Sequence, residues 1–269
     1  MMAMPEEQNR RCADHLSTYL FCPTQTAVKN LIAEGIADCG TGTKPTADKK
    51  RVCMTGDIMY EASLYYRAHN NVKIQDEDKN CILLTIHRQE NTDTDEKLYE
   101  ILNAMNSLDC ITVYPVHPRN AKRAYDIQQK YSMNNILLVK PVGYLESVAL
   151  VNGAKKIVTD SGGLQREAFF AAKQCVTVFD NIVWPETMVD NRNQLSKPDA
   201  KEILKKLMKL SVNLHHFLLF ADVFVHRKAS VKVNVSVVSR VIRLLLVNWN
   251  VLLLTGLEKM ELNQRKQNR

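Results

Sequence analysis

No two cysteines of this chain stand at CxxC spacing, no two histidines at HxxxH, and Cys and His never cluster. A zinc site needs such grouped donors, so no metal is expected. The seven cysteines, at 12, 22, 39, 53, 81, 110 and 175, are an odd number without a disulfide framework. They are expected as reduced, buried thiols of a cytoplasmic protein. The start, MMAMPEEQNRR, turns acidic within a few residues and lacks an apolar core, so no secretory signal is expected there. Long hydrophobic runs are missing too. The most apolar stretch, 244–255, is interrupted by Asn248 and Asn250. It is shorter than the roughly 18–20 residues that cross a bilayer, so no membrane contact is expected. Internal repeats and low-complexity segments are absent.

The body of the chain also lacks a basic face. Of the formal net charge of +7, nearly all comes from residues 211–269, which hold nine Lys/Arg against three Asp/Glu. Without cations clustered among aromatics in the first 210 residues, a nucleic-acid partner is not expected. What is present is soluble globular material: 45% apolar and 24% charged residues over 269 positions, enough for a real core.

The first 210 residues alternate short β-branched runs with helical ones. RVCMTG (51–56), CILLTI (81–86), CITVYPV (110–116), NILLVK (135–140), KIVT (156–159) and CVTVF (175–179) read as strands. Between the later strands, 92–108, 119–132, 144–153, 163–172 and 199–210 carry helical spacing or helix formers. Apolar runs with little polar alternation suit strands covered on both faces, which predicts an α/β fold with a doubly wound parallel sheet. CGTGTKPTADKK (39–50) reads as a surface loop. After about residue 211 the chain turns Val- and Leu-rich with little turn chemistry, and 211–269 is left as a divergent tail.

Polar residues follow four of the strands. They are His87–Arg88–Gln89–Glu90–Asn91, His117–Pro118, Pro141–Val142–Gly143 and Asp160–Ser161–Gly162–Gly163. In a doubly wound sheet these strand ends share one edge, where ligands bind. Ser161–Gly162–Gly163 opening a helix is a physical anion site: glycine lets the backbone approach, and free N–H groups face negative charge. Glu167, four residues past Gly163, could accept two hydroxyls of a ribose; a solvated helix glutamate is the plainer alternative. His87 and His117 could hold phosphate or shuttle a proton, or stand as satisfied half-buried histidines. Glu6 and Glu7 lie at i,i+4 spacing from Arg10 and Arg11 on a predicted helix, which by itself means two surface ion pairs.

Taken in order, PEEQNRR, STYLFCPTQTAVKNLIAEGI, TGDIMYEA, TIHRQEN, YPVHPRN, TDSGGLQREA and WPE resemble the non-hydrolysing UDP-N-acetylglucosamine 2-epimerases over about residues 4–210. The resemblance implies a glycosyltransferase-B-like architecture of two Rossmann-like domains. Residues 1–57 would be a remnant of the first domain and 58–210 the UDP-binding second. It also implies interconversion of UDP-GlcNAc and UDP-ManNAc by elimination and re-addition of UDP, without a cofactor, and pairing of two copies. By the same resemblance Glu6 and His87 are catalytic, Ser161, Gly162 and Gly163 hold the diphosphate, and Glu167 holds the ribose. His117 and Val142 join the substrate-binding set. Trp184 stands where the family often has arginine, and Ser147 where it has an aromatic beside the uracil. Further catalytic carboxylates of the family lie ahead of its Pro–Glu–Glu motif. The chain is therefore expected to be truncated at its front and poor in turnover. An inactive UDP-sugar-binding remnant and half of a B-type glycosyltransferase are the alternatives.

Overall fold

The computed structural model describes residues 5–69, 72 and 81–209, with the side chains of Pro5 and Glu6 outside the description. These residues fall in one compact unit, Met1–Val225. The stretch expected as a divergent tail, 211–269, lies outside the described residues, and so does its apolar run.

The first part of the chain forms a small layer. It runs through α1 (Pro5–Leu16), β1 (Tyr19–Cys22), α2 (Gln25–Ala33) and β2 (Arg51–Met54), with β1 and β2 paired in parallel. Leu20 and Cys22 face inward with Leu31 and Ile36, while Tyr19 and Phe21 alternate outward and stay exposed. Thr24 caps α2 by accepting from the Ala27 N–H at 3.3 Å. The expected loop at 39–50 is there, but Lys50 at its end is buried. Its ammonium donates to the carbonyls of His15, Ser17 and Ala47 at 2.6, 2.9 and 2.6 Å. Three carbonyl acceptors are what make burying that charge tolerable.

Around the acidic start of α1, Arg10 gathers three carboxylates. Glu7 lies three residues back, Asp14 four residues on, and Glu34, the C-cap of α2, adds a tertiary partner that Arg11 also faces. Helical spacing and tertiary contact together set these partners.

The main sheet has six parallel strands: β3 (Ile82–Thr85), β4 (Thr112–Pro115), β5 (Ile136–Val139), β6 (Lys156–Thr159), β7 (Gln174–Val178) and β8 (Asn193–Ser196). Their order is β5-β4-β3-β6-β7-β8. Helices α3 (Ile58–His69), α4 (Gln89–Thr92), α5 (Asp95–Asn106), α6 (Ala121–Lys130), α7 (Tyr144–Gly153), α8 (Gly162–Phe170) and α9 (Ala200–Lys209) accompany it. Alternate residues of one strand serve opposite layers. Ile82, Leu84 and Ile86 pack with Leu98, Ile101, Leu102, Met105 and Ile203. Cys81 and Leu83 pack with Leu150, Val151, Leu164 and Ala168. Each fully buried aliphatic side chain contributes about 1.5–3 kcal/mol relative to exposure.

Two strands escape the sequence reading. β1 is a four-residue strand with an exposed aromatic face, and β8 (NQLS) is a polar edge strand that only its ladder with β7 makes a strand. The helix expected over 92–108 is α5, which begins three residues later, at Asp95. Thr94, in extended backbone, separates it from the short α4 and caps it from the Lys97 N–H. The cysteines are all free, but only Cys22, Cys81 and Cys175 are buried, and Cys12 is exposed on α1.

Candidate functional site

The strand order turns back between β3 and β6, so the loops after these two neighbours leave in opposite directions and open a crevice. His87 follows β3 and Asp160–Gly163 follows β6. Thr85 and Thr159, paired in register, share a hydroxyl contact of 2.6 Å at the floor.

Asp160 ties the two loops together. Its buried carboxylate accepts from the backbone N–H of His87 at 3.0 and 3.1 Å and of Arg88 at 2.8 Å. Asn91 Nδ2 adds a third donor at 3.2 Å. His87 Nδ1 lies 3.0 Å from Asp160 Oδ1. A carboxylate only accepts, so Nδ1 carries the proton and Nε2 is left as the nitrogen that can take one. Arg88 Nε donates to the Asp160 carbonyl at 2.7 Å, and its guanidinium stacks 4.2 Å from the Phe179 ring centre.

His117 is arranged in the opposite sense. It caps the short 3-10 turn Pro118–Asn120, and its Nδ1 accepts from the Arg119 N–H at 3.3 Å. Its neutral ring therefore donates through Nε2. Arg119 in turn donates to the His87 carbonyl, and the Tyr114 hydroxyl donates to the Ile86 carbonyl at 2.9 Å, which joins the ends of β3 and β4. Burial pushes the Tyr114 phenol well above its ordinary range.

Ser161 is the N-cap of α8 and accepts from the Leu164 N–H at 3.3 Å, while its own N–H donates to Thr159 Oγ1 at 3.0 Å. The hydroxyl proton remains free to donate outward. Gly162 and Gly163 occupy the first two helical positions, where N–H groups have no intrahelical partner. A Cβ on Gly162 would stand 3.2 Å from Trp184 Nε1, so a side chain there would have to push the indole back by a few tenths of an ångström. Glu167 lies one turn further along α8, half-buried. Burial raises its carboxyl pKa, while a hydrogen bond from Tyr144 and the Arg166 charge pull it down. Tyr144 opens α7 directly after Gly143, whose N–H is held by Glu146 Oε2 at 2.8 Å. Val142, half-buried, packs on the core beneath the same edge.

The edge thus gathers residues from the ends of β3, β4, β5 and β6, including His87, His117, Val142, Ser161, Gly162, Gly163 and Glu167. Glu6 sits in the first turn of α1, and its side chain is outside the description. Sequence reasoning missed Asp160 as the knot of the crevice, although an acid directly between a strand and a Ser–Gly–Gly turn was the signal. It also missed Tyr144, whose contact with Glu167 joins two successive helices on either side of β6. Ser147 lies half-buried one turn beyond Tyr144. Among the described residues no group of His, Cys, Asp and Glu could hold a metal ion, and no helix is long and apolar enough to cross a membrane.

A doubly wound sheet with a glycine turn opening a helix at its crevice defines a Rossmann-like α/β domain. A family profile described as UDP-N-acetylglucosamine 2-epimerase matches residues 1–237, and the chain belongs to that family. A UDP-N-acetylglucosamine 2-epimerase homolog of Methanococcus maripaludis is 41% identical over 218 residues, 77% of this chain and 58% of the relative. A UDP-2,3-diacetamido-2,3-dideoxy-D-glucuronate 2-epimerase of Pseudomonas aeruginosa is 36% identical over 199 residues, 72% of this chain and 52% of the relative. The crystal structure of Methanocaldococcus jannaschii UDP-GlcNAc 2-epimerase in complex with UDP-GlcNAc and UDP superposes with a TM-score of 0.60 at 33% identity. That match covers 76% of this chain and 57% of the other. The chain spans a little over half the length of these relatives. Its main sheet is one Rossmann-like half of a glycosyltransferase-B-like architecture.

Proposed function

We propose that this chain binds UDP at the β6–α8 turn. It would form the nucleotide-holding part of an enzyme that interconverts UDP-GlcNAc and UDP-ManNAc. The observation that carries the reading is the Ser161–Gly163 turn opening α8 at the switch point, with Glu167 one turn on and His87 tied to Asp160 across the crevice. The Ser161 hydroxyl and the Gly162 and Gly163 N–H groups take the diphosphate, and Glu167 accepts the ribose hydroxyls. His117 donates through Nε2 to a phosphate oxygen, and Val142 offers apolar surface to the nucleoside. The relatives' names support an epimerase over half of a glycosyltransferase.

The chemistry assigned to these groups is elimination and re-addition. A base, Glu6 in this reading, takes the C2 proton of the sugar while the C1–O bond to UDP breaks, leaving a C1–C2 double bond. His87 Nε2 moves a proton at the same edge. UDP then adds back to C1 after C2 is protonated from the other face, so no oxidant or reductant is consumed. Pyrophosphate is already a good leaving group, and the site contributes mainly position and charge stabilisation. Free cysteines suit a reducing compartment for such an enzyme.

Calorimetric titration of the full chain with UDP tests the binding reading. A folded chain that ignores UDP would sink it. Proton NMR of UDP-GlcNAc, and of the diacetamido-glucuronate nucleotide named for the Pseudomonas relative, then reports turnover. Binding without turnover is the second reading, favoured by a chain that spans little more than half of its relatives.

A further inference from the structure

Trp184 connects the anion turn to a buried ion pair that none of the roles above uses. Its indole Nε1 is the atom nearest the position of a Cβ on Gly162, at 3.2 Å, with Cδ1 at 3.6 Å. The other side of the contact is Arg166, whose guanidinium carbon lies 4.1 Å from the Trp184 ring centre and 5.8 Å from that of Phe170. Arg166 is buried on α8 and pairs through Nη2 with Asp57 Oδ2, which is buried too. Arg166 Nε makes no hydrogen bond among the described residues. The ion pair and the aromatic faces therefore set the orientation of the guanidinium.

Asp57 sits at the junction between the small β1–β2 layer and α3, and its Oδ1 accepts from the Met59 N–H at 2.9 Å. A second link runs beside the first. The Thr24 hydroxyl donates to Glu186 Oε1 at 2.6 Å, two residues past Trp184. The Trp184 carbonyl is anchored in turn: it accepts from the Thr187 hydroxyl at 2.8 Å, and Gln165 of α8 donates to that hydroxyl at 2.7 Å. The 184–187 turn is thus reached by one direct polar link, Thr24–Glu186, and by the Asp57–Arg166 pair through the guanidinium stacked on Trp184, whose indole lies against Gly162.

We propose that Trp184 is a positioning residue for the anion turn, held there by the buried Arg166–Asp57 pair, so that the junction at Asp57 sets the affinity of the turn for a diphosphate. This rests on the nucleotide reading above. A planar guanidinium between a carboxylate and an indole fixes the ring face, which a flexible ammonium cannot do. The indole fixes the backbone of the residue whose N–H meets the ligand.

The chain has two tryptophans, so Trp249→Phe leaves Trp184 as the only indole reporter. In that background UDP and inorganic pyrophosphate should each shift Trp184 emission, and uridine, which has no phosphate, should not. Asp57→Asn should raise acrylamide quenching of Trp184 without ligand and weaken UDP by about tenfold, as for a displaced hydrogen-bond donor. Arg166→Lys, which keeps the charge but loses the planar stack, should do the same if Asp57→Asn fails to fold. Trp184→Phe should keep UDP affinity within about twofold and Trp184→Ala should lose about tenfold. Rescue by phenylalanine separates positioning from a general loss of fold. Unchanged quenching in both Asp57→Asn and Arg166→Lys overturns the clamp, and so does UDP binding that leaves Trp184 emission unmoved. A wild type that binds pyrophosphate but not UDP sinks the nucleotide reading alone. One that binds neither sinks both.

Discussion

Glu167 carries a carboxyl that burial raises above its ordinary value of 4.5, against the pull of the Tyr144 hydroxyl and the Arg166 charge. Its effect on folding and its effect on binding have opposite signs. A raised folded pKa contributes stability that is present below 4.5 and lost as pH rises through the folded value. Glu167→Gln should therefore stabilise the ligand-free chain near neutral pH and leave it unchanged at about pH 4, which thermal melts at the two pH values check. For UDP the charged form is the useful one. The same substitution should cost about 1–3 kcal/mol of UDP affinity, and much less for 2′,3′-dideoxy-UDP, which lacks the hydroxyls. Equal losses for the two ligands would assign Glu167 a structural role. Tyr144→Phe removes a hydrogen bond that favours the carboxylate, so the acid limb of UDP binding should move to higher pH. Calorimetry across pH reads that shift, and an unmoved limb would deny the contact. The Ser–Gly–Gly turn and Glu167 were legible because glycine and a capping serine mean the same thing in most contexts. Tyr144 was not, because its meaning depends on which helix lies opposite.

Among the elements, β3 and β6 matter most, because every functional strand end is placed relative to their shared gap. Asp160 locks that gap with donors from His87, Arg88 and Asn91. Asp160→Asn turns one acceptor oxygen into a donor facing other donors, which should cost about 1–3 kcal/mol of stability. It should also free the His87 ring. The first is measured by denaturant titration, and the second by ring-nitrogen NMR, in which the His87 tautomer should differ from wild type. A substitution neutral for stability that leaves the His87 tautomer unchanged would remove Asp160 from its proposed place. The buried strands were readable as apolar runs, since both faces of a parallel sheet are covered. β8 was not, because the Asn193–Ser196 segment has no strand-forming composition and is held by pairing with β7.

For the molecule as a whole, the chain is expected to hold UDP and to turn over no UDP-GlcNAc by itself. The resemblance assigns further acid/base carboxylates to positions ahead of the family's Pro–Glu–Glu motif, and the chain spans 58% of its Methanococcus relative. Removing one acid/base group costs about 10²–10⁴-fold, and losses of several leave little to detect. Fusing the part of the Methanococcus relative that precedes its Pro–Glu–Glu motif ahead of Met4 should give turnover, and Glu6→Gln or His87→Ala should abolish it. Robust turnover by the chain as it stands would show that the catalytic residues lie elsewhere.

The sequence by itself determined the alternation of strands and helices, the parallel sheet and the polar strand ends, because hydrophobic period and glycine turns act over a few residues. It also carried the family motifs, from the Ser–Gly–Gly turn to the histidines after β3 and β4. Only the tertiary structure decided the strand order, and with it which two loops share a crevice. It alone showed that Asp160 sets the proton on His87, that Tyr144 meets Glu167, and that Arg10 turns to Glu34. Each of these pairs residues many positions apart or on separate elements. No local pattern encodes such a contact; it exists only once buried apolar faces have chosen their neighbours.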